Sequence, residues 1–394
     1  MVDFGCTDIT IAKMFDSSAG GGRATCWMDL CHADFKLQMH AGDKLKTLQK
    51  TFLGNIDRSL HWDRISGPMV VSDYSSRDCK TVSLWKWCGE VVVDSATSAL
   101  FGQAIYKVAP DIVADFFPFD EVAYMMPYRL PEFAARTMYE YKRGGEVAFA
   151  RYLTLPKEDR QDASCVVQRI EEGMQDLGIT DPTQCGTILF TLHRLVNTNA
   201  YRLCFWALAY LLHDDALLAT IHAEITPAFN AAHDKLDMNY LLDQWPQLGS
   251  LYEELLRTVN HPPSARALLL LRSSSAARSS SLDESCSCRT SNCTPIRKSL
   301  APTHEFGPAR FLKRPDLLRS TSWRPFGGAK THCPGRFLAR REVYMFLALF
   351  LFRFNIKLVP KPKFPVLDTA IPAGGVLPPI AGDDVFVQVR PLNG

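Results

Sequence analysis

Apolar residues recur every three to four positions through most of this chain, the spacing of helices that bury one face. That period predicts helices over 43–60, 83–108 (amphipathic), 133–152 and 163–177. Thr180-Asp181-Pro182 is a start signal, a capping oxygen followed by proline at the first helical position, and it opens a long helix over 184–213. Helical spacing continues over 214–225, with Pro227 at its end, and 237–244 leads through Trp245-Pro246 into a helix bearing Glu254. A last helix spans 337–354, and alternation at 385–389 predicts a strand. Residues 118–131 hold Phe, Tyr, Met and three prolines, and read either as core packing or as a loop over a lipophilic pocket. Trp85 and Trp87 read as core.

The period fails at 264–300. Arg272-Ser-Ser-Ser-Ala-Ala-Arg-Ser-Ser-Ser281 precedes Cys286, Cys288 and Cys293, a composition expected of disorder. A zinc site there lacks a fourth ligand at sensible spacing.

With 394 residues and 47% hydrophobic content the chain can bury a large core. A net charge of +2 gives no basis for a nucleic-acid partner. Twelve irregularly spaced cysteines without a secretory signal point to a reducing setting. The longest apolar runs, 203–212 and 344–352, are too short to span a bilayer.

Three constellations carry candidate chemistry. In Arg324-Pro-Phe-Gly-Gly-Ala-Lys-Thr-His-Cys-Pro-Gly-Arg336, Cys333 sits between a glycine-rich turn and the start of an apolar helix. Backbone N–H groups and the positive helix end there favour a thiolate, and a thiolate without a disulfide partner suits a metal; otherwise it is a buried core cysteine. Glu254 and Arg257 share a helix face at i, i+3, which is either a surface ion pair or part of a larger lock. Asn197-Thr198-Asn199 interrupts an apolar helix, either as a polar notch satisfied by backbone or as the wall of a site.

The cysteine stretch resembles the haem signature F-x-x-G-x-x-x-C-x-G of the cytochrome P-450 superfamily. Phe326, Cys333 and Gly335 match. Ala329 stands at the expected glycine, with Gly327 and Gly328 just upstream. Glu254-Leu-Leu-Arg257 resembles the family's E-x-x-R pair, and Pro308-Ala-Arg310-Phe311 its later P-x-R-F segment. Asn199, followed six and seven places on by Phe205-Trp206, resembles the branch of sterol 7- and 12-hydroxylases and prostacyclin synthases, along with many fungal members. The family's W-x-x-x-R motif has no counterpart, since Trp62 and Arg64 are wrongly spaced.

The resemblance implies a mostly-α haem-thiolate fold with a small β portion, as one domain over 1–394, truncated at its N-terminus, with 264–300 anomalous and disordered. Where the family carries pocket-lining strands, this chain has the right length with the wrong composition, which suggests a slipped reading frame. The implied cofactor is haem b, with Cys333 as axial ligand in a socket of Phe326, Gly328 and Gly335. Asn197, Thr198 and Asn199 are the implied distal catalytic residues, and Glu254, Arg257 and Arg310 a structural lock. The implied activity is monooxygenation of a lipophilic small molecule (a sterol, fatty acid or secondary metabolite) with an NADPH-dependent reductase as partner. A full-length parent would lie on the cytosolic face of the endoplasmic reticulum membrane through an N-terminal anchor. The alternatives are a peroxide isomerase or dehydratase of the prostacyclin synthase type, and an inactive truncated or frame-slipped product.

Overall fold

Side-chain oxygens set the starts of several helices in this computed structural model. Thr7, Ser83, Asp181, Asp214 and Asp237 each accept a backbone N–H from the first turn that follows, replacing donors that a helix start leaves unpaired. The structure describes residues 4–16, 26–71, 76, 78–128, 130–229, 236–261, 263–267, 285–289, 305–321, 323–328, 332–359, 363–371 and 374–392, with 263–267 and 285–289 described in backbone only.

The helices are α1 (Asp8–Phe15), α2 (Trp27–Met39), α3 (Asp43–Ser59), α4 (Leu84–Phe101), α5 (Ala104–Val108), α6 (Ile112–Val122), α7 (Arg136–Thr154), α8 (Cys165–Asp176), α9 (Pro182–Asn197), α10 (Ala200–Leu212), α11 (Asp215–Ile225), α12 (Met238–Asp243), α13 (Pro246–Thr258), α14 (Arg310–Lys313) and α15 (Arg336–Arg353). The strands are β1 (Lys80–Ser83), β2 (Pro263–Ala267), β3 (Ser285–Arg289), β4 (Phe354–Leu358) and β5 (Phe386–Pro391). β5 lies between β1 and β4 in an antiparallel sheet, with Val387 opposite both Val82 and Leu358. One contiguous core draws on nearly every helix, and a small satellite of Phe311 and Leu317 packs with Trp323. The chain is thus mostly helical with a small antiparallel sheet.

Three expectations differ from what is seen. The single amphipathic helix expected over 83–108 ends at Phe101, where Gly102 takes φ +72°, and Gln103 donates its N–H to the Asp162 carboxylate at 2.7 Å. Its first part, α4, is buried nearly all round, so its apolar positions do not form one stripe. Of the two readings of 118–131, core packing is the one seen: Pro118 lies inside α6, a 3-10 turn (Ala123–Tyr128) follows, and Phe119 and Met126 join the core. The long helix of 184–213 is interrupted at Thr198–Asn199, although both residues keep right-handed helical backbone. In 264–300, β2 and β3 pair as antiparallel strands, with Ser264 opposite Cys288. The Ser/Cys alternation of 285–288 has the period of a strand. The rest of that segment, and the side chains of Cys286, Cys288 and Cys293, lie outside the described residues.

Trp87 is fully buried against Phe350, and Trp85 meets Tyr201 and Phe205 edge-on, both ring pairs at 5.1 Å. α10 packs against α4, α13 and α15, so the helix that follows Cys333 lies directly on the second half of the central helix. No single described helix is long and apolar enough to cross a membrane.

Candidate functional site

Cys333 is held in a closed turn. Its N–H donates to the Phe326 carbonyl at 3.0 Å, Gly327 N–H donates to Arg324 at 3.1 Å, and Arg336 reaches back to the Cys333 carbonyl at 2.9 Å. Gly327 takes φ +78°, the left-handed conformation that glycine adopts freely. Ala329, at the position where the resemblance asks for that glycine, lies outside the described residues. Gly328 lies so near Arg324 that a Cβ there would meet the guanidinium at 2.8 Å. A Cβ on Gly335 would meet only ordinary neighbours, Met39 Sδ at 3.6 Å and Cys333 Sγ at 3.8 Å, so packing alone does not demand glycine there.

The Cys333 sulfur receives backbone N–H groups from Gly335 and Arg336, at the start of α15. Burial nevertheless pushes the thiol up, and the Gly335 N–H, the Arg336 charge and the Arg336 N–H offset that only in part. The expectation of a thiolate is corrected to this extent: desolvation outweighs the donors. A coordinated metal reverses the balance, because it is the larger local charge. The donor set (one sulfur, two N–H groups aimed at it, a helix N-terminus and a nearby guanidinium) fits an axial thiolate of a haem iron.

The structure brings Glu254, Arg257 and Arg310 together. Glu254 is fully buried and accepts from Arg257 Nε at 2.8 Å and Nη2 at 2.7 Å, from Arg310 Nε at 3.0 Å and from the Gly307 N–H at 2.7 Å. Both arginines also donate to the Glu305 carbonyl. Charge-assisted bonds of this kind fix geometry as well as adding energy. Glu253 turns away from Arg257 to Arg340 and to Trp323. A cleft of about 530 Å³ beside the cysteine turn has Arg324, His332, Arg336 and Arg340 among its lining residues, with Glu253 also in its wall.

Asn197, Thr198 and Asn199 face different neighbours. Asn197 Nδ2 donates to the His193 carbonyl at 3.0 Å, while its Oδ1 is buried without a partner. The Thr198 hydroxyl lies 3.0 Å from Asp120 and 2.9 Å from the Arg194 carbonyl. Asn199 Oδ1 accepts the Val376 N–H at 2.8 Å.

Several residues of this region escaped the sequence reading. Asp120, 6% exposed, also accepts from Tyr201 at 3.0 Å and from Arg202, and Arg202 donates to the Val376 carbonyl at 2.9 Å. The available signal was a charge inside an apolar run, in Phe116-Phe-Pro-Phe-Asp120 and in Tyr201-Arg202-Leu203, since charges are rarely buried unless paired. Nothing local in Gly375-Val376 marks its backbone contact.

The family model for Cytochrome P450 matches residues 302–381, which include the turn and, of the three lock side chains, Arg310. Cytochrome P450 monooxygenase efuG of Hormonema carpetanum is 24% identical over 367 residues, covering 76% of this chain and 63% of its own length. Cytochrome P450 monooxygenase fsoE of Humicola fuscoatra is 23% identical over 342 residues, covering 73% and 59%. Cytochrome P450 7A1 of Sus scrofa is 23% identical over 372 residues, covering 86% and 71%. The chain therefore spans about six tenths of the length of the two fungal relatives. A cysteine turned onto a helix start, a buried Glu-Arg-Arg lock and a mostly helical fold agree with these matches, and together they support the cytochrome P450 superfamily, a family whose cofactor is haem.

Proposed function

We propose that this protein is a haem-thiolate monooxygenase acting on a lipophilic small molecule of the sterol, fatty-acid or secondary-metabolite kind, with haem b as cofactor. The observation that carries the reading is the Cys333 sulfur, set at the start of α15 with the Gly335 and Arg336 N–H groups on it. The names of the two fungal relatives support it, since both are called monooxygenases.

Cys333 would hold the iron. When bound, haem would supply the oxygen chemistry, and a thiolate ligand from Cys333 would favour O–O cleavage. The chain's own part is to bind and orient. Phe326 and Gly327 close the turn that fixes the sulfur, and the Glu254 lock holds the 305–310 segment ahead of it. The cleft with Arg324, Arg336 and Arg340 suits an acidic face of an NADPH-dependent reductase. Such a partner and such substrates meet at the cytosolic face of the endoplasmic reticulum, where we place the protein.

One observation favours a second reading, rearrangement of a lipid peroxide without external electrons. The Thr198 hydroxyl is engaged by Asp120 and the Arg194 carbonyl, so it does not stand free to relay protons. Turnover of a lipid hydroperoxide with no reductase present separates this from monooxygenation.

The test is the spectrum of the reduced protein with carbon monoxide. A strongly red-shifted Soret band that disappears in Cys333→Ser is the expected result. No haem band, or a band indifferent to C333S, refutes the assignment, and the former outcome marks an inactive product.

A further inference from the structure

We infer that Gly375 and the Val376 peptide are positioning residues for Asn199, fixing its carboxamide so that the NH2 is the group offered to a substrate oxygen. This rests on the haem-thiolate reading above only for what the amide serves; the clamp itself is read directly from contacts.

The Val376 N–H can be satisfied only by an acceptor, and it donates to Asn199 Oδ1 at 2.8 Å. The amide is thereby oriented: oxygen toward the loop, nitrogen elsewhere. Asn199 Nδ2 has no hydrogen-bond partner among the described residues. The other side of the same peptide is held too, because Arg202 Nη1 donates to the Val376 carbonyl at 2.9 Å. Arg202 is in turn fixed by Asp120 and by the Tyr201 hydroxyl at 3.1 Å.

Gly375 makes the approach possible. It takes φ +152°, and a Cβ there would lie 2.1 Å from Asn199 Oδ1. Any side chain at 375 would push the amide out of place.

The loop is also tied to the cysteine turn. The His261 N–H donates to the Gly375 carbonyl at 2.8 Å and the Leu377 N–H to the Val259 carbonyl at 2.9 Å. Those two bonds set Asn260 opposite Val376, and Asn260 donates its Nδ2 to the Pro325 carbonyl at 2.8 Å, next to Phe326. A continuous set of contacts thus runs from the Cys333 turn through the end of α13 and the 375–377 loop to Asn199. An amide offered through nitrogen selects an acceptor, such as the carbonyl, hydroxyl or peroxide oxygen of a lipophilic molecule. Its counterpart with oxygen outward would select a donor.

Three variants of the full chain test this: Asn199→Asp, which keeps an acceptor for Val376 but removes the NH2; Asn199→Leu, which removes both; and Gly375→Ala, which displaces the amide. The first readout, hydrogen exchange at Val376, needs no cofactor. N199L and G375A should exchange about tenfold faster there, as expected for loss of one backbone hydrogen bond, while N199D should match the wild type. The second readout is the carbon monoxide stretching band of the reduced, haem-loaded protein. A nearby N–H donor lowers that frequency, so the band should rise in all three variants while the Soret position stays put. Unchanged Val376 exchange in N199L and G375A overturns the clamp. A band unmoved in N199D and G375A overturns the donor role. A wild type without the thiolate Soret band refutes the haem-thiolate reading instead, and the exchange experiment still decides the clamp.

Discussion

Removing the Glu254 carboxylate should be one of the most damaging single changes in the C-terminal half. Glu254 is fully buried, and the Arg257 and Arg310 side chains that share it are only 15% and 16% exposed. In Glu254→Ala two guanidiniums face each other across a vacated site, and the Gly307 N–H loses its acceptor. Truncating one member of a buried pair costs about 3–5 kcal/mol. The residual exposure of both arginines lets water recover part of that, so ~3 kcal/mol is the working figure. This is a large share of a typical total of about 5–15 kcal/mol. Denaturant unfolding followed by tryptophan fluorescence measures it, because Trp323 and Trp245 flank the region. Glu254→Gln keeps the shape but not the charge and should fall between wild type and E254A. Glu140→Ala breaks an ion pair with a solvent-exposed Arg136 and should leave the midpoint where it was. An E254A midpoint indistinguishable from that of E140A would refute the claim that the lock is energetically coupled to the fold.

Three further outcomes are expected. Gly186→Ala places a Cβ 2.2 Å from the Glu146 carbonyl on α7, so it should lower the thermal midpoint by about 1–3 kcal/mol equivalent, although helix propensity alone favours alanine. Burial lowers the His193 imidazole to about 3; the unfolded chain takes up that proton first, so stability should fall by ~1.4 kcal/mol per unit as pH drops from about 6.5 toward 3, with the slope absent in His193→Phe. Burial raises the Glu342 carboxyl to about 8 from an ordinary 4.5; the folded chain holds that proton, so stability should fall as pH rises through this window, and Glu342→Gln should remove that limb of the denaturant-midpoint profile.

How far the sequence discloses the fold depends on the range of the interaction. The starts at Asp181-Pro182 and Trp245-Pro246 were legible because caps act within one turn. Of the Glu254 partners, Arg257 was legible from helical spacing, but Arg310, 56 positions away, only through resemblance. The end of α4 was missed although Gly102 is a local stop signal; the Asp162 carboxylate on Gln103 N–H, which completes that end, comes from a distant segment. The interruption at Thr198–Asn199 was visible as polarity but not as a break. Thr198 bonds back to Arg194, and side-chain bonding of that kind competes with the helix ladder. The thiolate at Cys333 was inferred from neighbours that are indeed on the sulfur, but the sequence gives no measure of how deeply that sulfur is buried.

The Asp120–Arg202 pair raises the question of what a buried charge contributes to a helix that is otherwise apolar. Strength is a poor answer, because apolar residues of similar volume often hold a core as well as an ion pair does. Direction is a better one. Asp120 gathers Thr198, Tyr201 and Arg202, and Arg202 passes the orientation on to the Val376 carbonyl. The two answers predict opposite orders of stability. Arg202→Met alone strands a buried carboxylate and should cost about 3–5 kcal/mol. The triple change Asp120→Leu, Tyr201→Phe, Arg202→Met removes the charges and the shared hydroxyl together, while Thr198 keeps the Arg194 carbonyl. It should be the more stable of the two in denaturant unfolding, yet Val376 should exchange faster than in wild type, because the peptide has lost one of its holders. A triple variant at least as destabilised as R202M would show that the pair supplies cohesion, and the orienting role would have to be given up.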